Sequence, residues 1–432
     1  MRFINAAVRQ NYSYLLRWVL LALLAGMAGS SLVHFFDRLM VSAGAGLLGI
    51  GLPLVLVPVV GALLTGLIYR LEPEAAGEGV PSYIHGLVRH GGRLPLKITL
   101  TKLPAGWLTL ATFGNGGLTG PLGRVTAGLA SFITGWLARR RILFTDDEVR
   151  TAAICGLAAV VGSIFHASIG GGIFAVEIIQ RTKMGYRDLF PAIFASTSAV
   201  FFCKVFGWQS FYRLDAPNVF MDTSMIGYVL LLAVLTGVMG VVYTQVYKTI
   251  SRVVGREKRN LFFKAIIGTL VASLLAVAIN TDLFGTSRGI MVRLFAGQIE
   301  ALRGTLPAAW PLWLVMVLLM MVKMLGNCVT VGTGMSAGFT GPAAITGLLL
   351  GAAAASLLRI DVTSSTYFAF LATGFAGMLA GTMNVPLAAA IIATEFFGLQ
   401  YSLPAGLGAV IGFQISRQHT IYEYTMKDDE TD

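Results

Sequence analysis

The sequence predicts an all-α polytopic membrane protein built as an inverted repeat of broken and re-entrant helices. Three observations predict it: a deficit of charge, apolar runs of uneven length, and a set of motifs that recurs once at a nearly constant period. Of 432 residues, 56% are hydrophobic and only 12% charged, with a mean hydropathy of +0.75. Soluble domains are roughly 25% charged, so the side chains that would face water are too few and the surface fits lipid. No Pro/Ser-rich or charged linker interrupts the chain. Residues 1–432 therefore read as one transmembrane domain, with halves at approximately 40–215 and 225–424 and no C-terminal regulatory domain.

A spanning helix needs about 20 mostly apolar residues. Candidate runs cover 18–36, 46–69, 103–123, 125–138, 152–176, 188–203, 225–247, 261–280, 306–322, 324–358, 364–394 and 396–416. The first is flanked by Arg2, Arg9 and Arg17 and lacks a small-residue cleavage pattern, so it reads as a signal anchor with a cytoplasmic N-terminus. Residues 103–123 carry Gly106, Gly114, Gly116, Gly117 and Gly120. Residues 324–358 hold no charge, exceed one crossing, and carry Gly326, Gly332, Gly334, Gly338 and Gly341. Small residues let membrane helices approach closely. Runs of glycine that end in Gly-Pro imply more: helices that stop inside the membrane, tolerated only where the freed backbone lines protein or a watery cavity.

The net charge of +11 is distributed in clusters between apolar runs: Arg139, Arg140 and Arg141; Arg181, Lys183 and Arg187; Arg252, Arg256, Lys258 and Arg259. That is the pattern of positive-inside loops against anionic lipid, with no basic-aromatic face for nucleic acid. Cys155, Cys203 and Cys328 all lie in apolar runs without metal spacing and read as packing residues. With no nucleophile–base pair and no ligand cluster, the expectation is a non-enzyme without metal or cofactor, whose partners are membrane lipid and a small solute.

The repeat is the sharpest signal. Residues 117–121 read Gly-Leu-Thr-Gly-Pro and residues 338–342 read Gly-Phe-Thr-Gly-Pro. Lys102 precedes Thr119 by 17 positions, and Lys323 precedes Thr340 by the same 17. Downstream, Glu177 closes the run that begins at His166, and Glu395 closes the run that begins at Asn384. The lysines and threonines recur after 221 residues and the glutamates after 218. Duplication in membrane transporters commonly sets two halves of opposite topology around a midplane site, with broken-helix N-termini facing it. Exposed N–H groups and the helix dipole at such ends favour an anion, although carbonyls at broken C-terminal ends could serve a cation.

These residues resemble the CLC chloride channel and transporter family along nearly the whole chain, from the first helix to Tyr424. Gly77-Glu78-Gly79-Val80-Pro81 is similar to the family's Gly-Ser-Gly-Ile-Pro loop. Gly117-Leu118-Thr119-Gly120-Pro121 stands where the family has Gly-Arg-Glu-Gly-Pro, at the usual spacing from the family's lysine, here Lys102. Gly338-Phe339-Thr340-Gly341-Pro342 resembles the Gly-x-Phe-x-Pro loop, and Thr420-Ile421-Tyr422-Glu423 the segment whose tyrosine hydroxyl holds the central anion. The resemblance implies a homodimer with one pore per subunit, chloride or another small anion as substrate, and residence in a bacterial inner membrane. It also implies pore positions at Glu78, Gly79, Val80, Gly117, Leu118, Thr119, Gly120, Phe339, Thr340, Gly341 and Tyr422, with Lys102, Lys323, Glu177 and Glu395 as supporting charges.

The departures matter more. Thr119 stands in place of the family's gating glutamate, and Ile178 in place of the inner proton-transfer glutamate. Neither side chain relays a proton, so the expectation is channel-like permeation without proton coupling. Glu78 replaces the central serine. An ionised carboxylate there would repel an anion, while desolvation favours the neutral acid, a hydrogen-bond donor. Two readings stay open: a protonatable group beside the pore, which admits a coupled transporter with a rebuilt mechanism, or a loop carboxylate facing water or an arginine. Thr119 and Thr340 line the pore, cap helix N-termini, or do both together. Tyr422 is a pore ligand or an interface tyrosine. Glu177 and Glu395 read as acceptors for backbone groups, His166 as a packed imidazole, and Lys102 and Lys323 as sources of positive potential or snorkelling side chains.

Overall fold

A computed structural model describes residues 2–142, 144–179, 185–208, 216–256 and 260–422. Arg181, Lys183, Lys258, Arg259, Glu423 and Tyr424, singled out above, lie outside the described residues, as does the acidic tail at 428–432.

The described residues form helices in an order that runs twice. The first series is α1 (Arg2–Gly49), α2 (Val57–Tyr69), α3 (Val80–Arg89), α4 (Leu96–Ala111), α5 (Thr119–Arg139), α6 (Glu148–Phe165), α7 (Gly170–Glu177) and α8 (Tyr186–Val205). The second is α9 (Ile226–Arg256), α10 (Leu261–Ile279), α11 (Arg288–Phe295), α12 (Leu312–Gly332), α13 (Thr340–Leu357), α14 (Ser365–Met383), α15 (Pro386–Phe397) and α16 (Ser402–Ser416). A short 3-10 turn occupies matching places in both, Pro73–Ala75 before α3 and Thr281–Leu283 before α11. Eight helices among the described residues are long and apolar enough to cross a membrane. The chain is an all-α polytopic membrane protein.

Burial sorts these helices. Within their apolar windows α6 and α14 are 94% buried, whereas α9 and α10 are 33% buried and keep an apolar face outward for lipid. Tyr186, Phe190, Phe201 and Phe220 are among the large exposed apolar side chains. A helix apolar all round is thus explained twice, by protein on one side and by hydrocarbon on the other.

Helix breaks fall where the backbone can leave the α-region cheaply. His166 ends α6 and Asn384 ends α14, both in the left-handed region at φ 52° and 58°. Asn visits that region with little strain. Pro386 then starts α15, where its missing N–H costs nothing. Run lengths alone misplace several boundaries. The run 324–358 breaks between Gly332 and Thr340 as its length predicts, but 364–394 also breaks, between Met383 and Pro386. Residues 125–138 belong to α5, which starts at Thr119, and α1 continues through Gly49. Apolar runs mark the hydrocarbon layer, not the hydrogen-bond ladder, so helix ends inside the membrane leave no mark in hydropathy.

Two reciprocal contacts relate the series. The equivalent residues Gly117 and Gly338 form an antiparallel bridge, exchanging N–H···O bonds of 2.8 and 2.7 Å. Glu177 at the end of α7 accepts from the N–H groups of Leu387 and Ala388 at the start of α15. Glu395 near the end of α15 accepts from the N–H groups of Ile169 and Gly170 at the start of α7. Each carboxylate satisfies orphan donors of the other helix. Equivalent residues meeting each other antiparallel is what a pseudo-two-fold axis between inverted halves requires.

Candidate functional site

The site forms where α3, α5 and α13 begin. Gly79, at φ +115°, turns the chain out of the preceding loop and into α3, a conformation costly for residues with a Cβ. Thr119 and Thr340 are the first residues of α5 and α13, whose cap positions, Leu118 and Phe339, make no side-chain cap bond. The two threonines therefore stand one residue inside the helices, and neither caps its own helix. Both are buried, and Thr340 Oγ1 has no hydrogen-bond partner among the described residues. Gly117 and Gly338 join the two loops, with Leu118 and Phe339 buried behind them.

Glu78 occupies the centre. It is 4% exposed, which excludes the reading of a loop carboxylate facing water. Oε2 accepts the Val80 N–H at 2.8 Å, at the start of α3. Oε1 accepts the Tyr422 hydroxyl at 3.0 Å. Burial disfavours the ionised carboxyl most, and the Val80 N–H, the Tyr422 hydroxyl, the Lys102 ammonium and the Phe339 N–H offset only part of that. The carboxylate lies over the first turn of α5, so close that a Cβ on Gly120 would stand 2.5 Å from Oε1. Any larger residue at position 120 would displace it. Tyr422 is 1% exposed and so no interface tyrosine. Gly341 follows Thr340 in the buried first turn of α13.

Both lysines are buried, and neither snorkels. Lys102 Nζ donates to the carbonyls of Ala75 and Gly77, fixing the loop that carries Glu78. Lys323 Nζ donates to the Gly285 carbonyl at 2.9 Å and to Asn115 Oδ1 at 2.6 Å, and lies 3.4 Å from the Leu283 carbonyl. The two cations thus perform one task at equivalent places, tying down the loop before α3 and the loop before α11. Glu177 and Glu395 lie with α7 and α15 and bond helix N-termini, not this centre. Ile178, next to Glu177, is buried. Nδ1 of His166 lies 3.2 Å from the Ser163 carbonyl. Cys155, Cys203 and Cys328 are buried free thiols.

Sequence reasoning missed three features. Asn327 Nδ2 bonds the carbonyls of Asn115 and Gly338, and its Oδ1 accepts the Tyr243 hydroxyl at 2.6 Å. Tyr247 stacks edge-on against Phe339, with ring centroids 4.6 Å apart. Arg124 is 1% exposed and donates to Ser82 and Thr99. It is the only charged residue between Lys102 and Arg139, and an ionisable residue inside an apolar run signals function by default. Glu78, Lys102 and Arg124 all line a cavity of about 880 Å³ that reaches Lys248 and Arg252 on α9.

Helix N-termini, a tyrosine hydroxyl and a buried carboxylate at the junction of inverted halves define a membrane protein with a central site suited to negative charge. The family model described as voltage gated chloride channel matches residues 60–417, and the chain belongs to that family of anion channels and transporters. An uncharacterized protein of Methanocaldococcus jannaschii is 27% identical over 377 residues, covering 85% of this chain and 87% of its own. A protein of Pseudomonas syringae pv. tomato named as a chloride/fluoride channel protein is 25% identical over 282 residues, covering 64% of this chain and 58% of its own. A solved structure described as a CLC-type fluoride/proton antiporter superposes with TM-score 0.79 at 21% identity, covering 94% of this chain and 97% of that one.

Proposed function

We propose that this protein passes chloride or another small monovalent anion, and that Glu78 is a tethered plug that yields its place when protonated. One observation carries the reading. A carboxylate, itself an anion, sits among the Val80 N–H, the Tyr422 hydroxyl and the first turn of α5. Its oxygens stand in for a permeating ion: what holds one negative charge there can hold another. Gly79, Gly117, Leu118, Thr119, Gly120, Phe339, Thr340 and Gly341 form the surrounding wall, and Lys102 and Lys323 set its loops.

Passage without obligatory proton exchange is supported by Thr119 and Ile178, neither of which carries a proton near neutral pH. Glu78 offers a single station, and an exchanger needs a relay that reaches both sides. The named channel relative and the antiporter structure point in opposite directions here, so the choice rests on these side chains. Basic loops support a cytoplasmic N-terminus in an inner membrane, and membership of the family supports a pair of copies, each with its own path.

The test is anion efflux from liposomes at pH values from about 4.5 to 8. A carboxylate a few Å from the ion costs about 4 kcal/mol at an effective dielectric of roughly 20. Wild-type flux should therefore rise as pH falls, Glu78→Gln should hold flux high and flat, and Glu78→Ser should move preference toward chloride. Three superimposable curves would reduce Glu78 to a structural residue.

A further inference from the structure

The cavity beside Glu78 is far larger than a halide needs. It encloses about 880 Å³, within the range of sites that hold whole small molecules. Its lining sets Lys102, Arg124, Lys248 and Arg252 against Glu74 and Glu78. Lys248 is half-buried and Arg252 exposed, and buried Lys102 is already bonded to the Ala75 and Gly77 carbonyls, so none of these marks a site by itself. Arg124 is different, because its guanidinium is almost wholly enclosed at 1% exposure. Nε donates to Ser82 Oγ at 3.1 Å and Nη1 to Thr99 Oγ1 at 2.9 Å, which locks the plane of the group. Nη2 has no partner among the described residues. A buried charged donor without an acceptor costs several times a satisfied one, and a chain that keeps Nη2 fixed and unpaired is holding a place for an acceptor. Ser82 lines the same cavity, accepts the Nε–H, and has its own hydroxyl hydrogen to give.

We infer that Arg124 heads a binding site for a polyatomic oxyanion, of the phosphate or sulfate class, on the floor of this cavity. The planar guanidinium matches two oxygens of such an ion where a halide presents only one point of charge. Lys248 and Arg252, nearer the end of α9, add attraction on the way in. An oxyanion held there occupies the cavity that Glu78 itself lines, on one side of the central site. It therefore blocks the path from one side. The inference rests on the proposed permeation path only for that blocking effect; binding stands by itself. The oxyanion could be free in solution or carried by a lipid headgroup entering beside α9.

The test uses the full chain, delipidated in neutral detergent, with inorganic sulfate and then inorganic phosphate titrated calorimetrically. Wild type should take up one oxyanion per chain, Arg124→Gln should lose at least tenfold in affinity, and Arg124→Lys should retain part of it. Glu78→Gln should keep the site, with affinity equal or higher. Should Arg124→Gln fail to fold, Ser82→Ala, which leaves the guanidinium in place, is expected to weaken binding severalfold. Anion efflux from phosphatidylcholine vesicles with sulfate on one side should show block only from the side of this cavity. Efflux slowed by phosphatidylglycerol in wild type but not in Arg124→Gln, with no effect of free sulfate or phosphate, would assign the oxyanion to lipid. Unchanged sulfate and phosphate binding in folded Arg124→Gln, or no binding to wild type of either ion or of that lipid, would overturn the inference, whatever the Glu78 curves show.

Discussion

Glu78 is stabilised by the same groups that would receive an anion, so each partner it loses changes the balance between plugged and open states. Tyr422 donates to Oε1 at 3.0 Å. A hydrogen bond to a charged group contributes about 1.5–3 kcal/mol. The Tyr422→Phe variant withdraws it from the ionised carboxyl and not from the neutral one. Ionisation then becomes harder, the neutral acid persists to higher pH, and the flux-against-pH curve should move up by about 1–2 pH units. An unmoved or downward-shifted curve would place the titrating group elsewhere. Thr119→Glu tests the neighbouring helix end. A second carboxylate at the first residue of α5 would stand at that helix's N-terminus, beside Gly120, which touches Glu78, so flux at neutral pH should fall and recover as pH drops toward about 4.5. Flux equal to wild type at every pH, in folded protein, would remove Thr119 from the path.

At the scale of elements, stability is concentrated where helix ends meet inside the membrane. Lys323, wholly buried, satisfies the Gly285 carbonyl and Asn115 Oδ1. Lys323→Met leaves those acceptors unpaired, and each buried orphan costs about 1–3 kcal/mol. Thermal unfolding in detergent should drop sharply, by more than for an exposed lysine such as Lys204. The reciprocal caps are milder because they lie nearer the surface: Leu387 is 45% and Ile169 47% exposed. Loss of a cap costs about 0.5–2 kcal/mol, so Glu177→Ala and Glu395→Ala should each lower the melting temperature modestly. The pH profile of flux should stay that of wild type, since neither carboxylate touches the site around Glu78. A changed pH profile in Glu177→Ala would instead make it a proton station.

At the scale of the whole molecule, the question is whether anion flow is tied to proton flow. With Glu78 as a lone station and Ile178 apolar, a reversal potential measured across a tenfold pH gradient should stay at the Nernst value of the anion. A substantial displacement from it, with strict anion selectivity, would mean exchange through a rebuilt relay. Inverted halves make this a property of the assembly, because the central site takes α3 and α5 from one series, α13 from the other, and Tyr422 from the segment after α16. No half contains it alone.

The membrane class and the duplication were legible in the residues themselves. Composition is a sum over the chain and needs no geometry, and the lysine–threonine spacing of 17 survives because a repeat keeps its internal distances. The loops at 77–81, 117–121 and 338–342 were legible for a similar reason, since helix starts inside a membrane demand Gly and Pro locally. What sequence could not decide was partnership across 344 positions. Whether Glu78 faced water or the centre depended on Tyr422 arriving from the far end of the chain. Glu177 and Glu395 had the look of a repeated feature, yet only packing showed that each caps the helix carrying the other. Arg124 stood alone in an apolar run and could have been singled out, but its enclosure by Ser82 of α3 and Thr99 of α4 needed the packed structure. Pattern and spacing are properties of neighbours along the chain, whereas the protonation of Glu78 and the vacancy at Nη2 of Arg124 are set by desolvation, which exists only once distant helices exclude water.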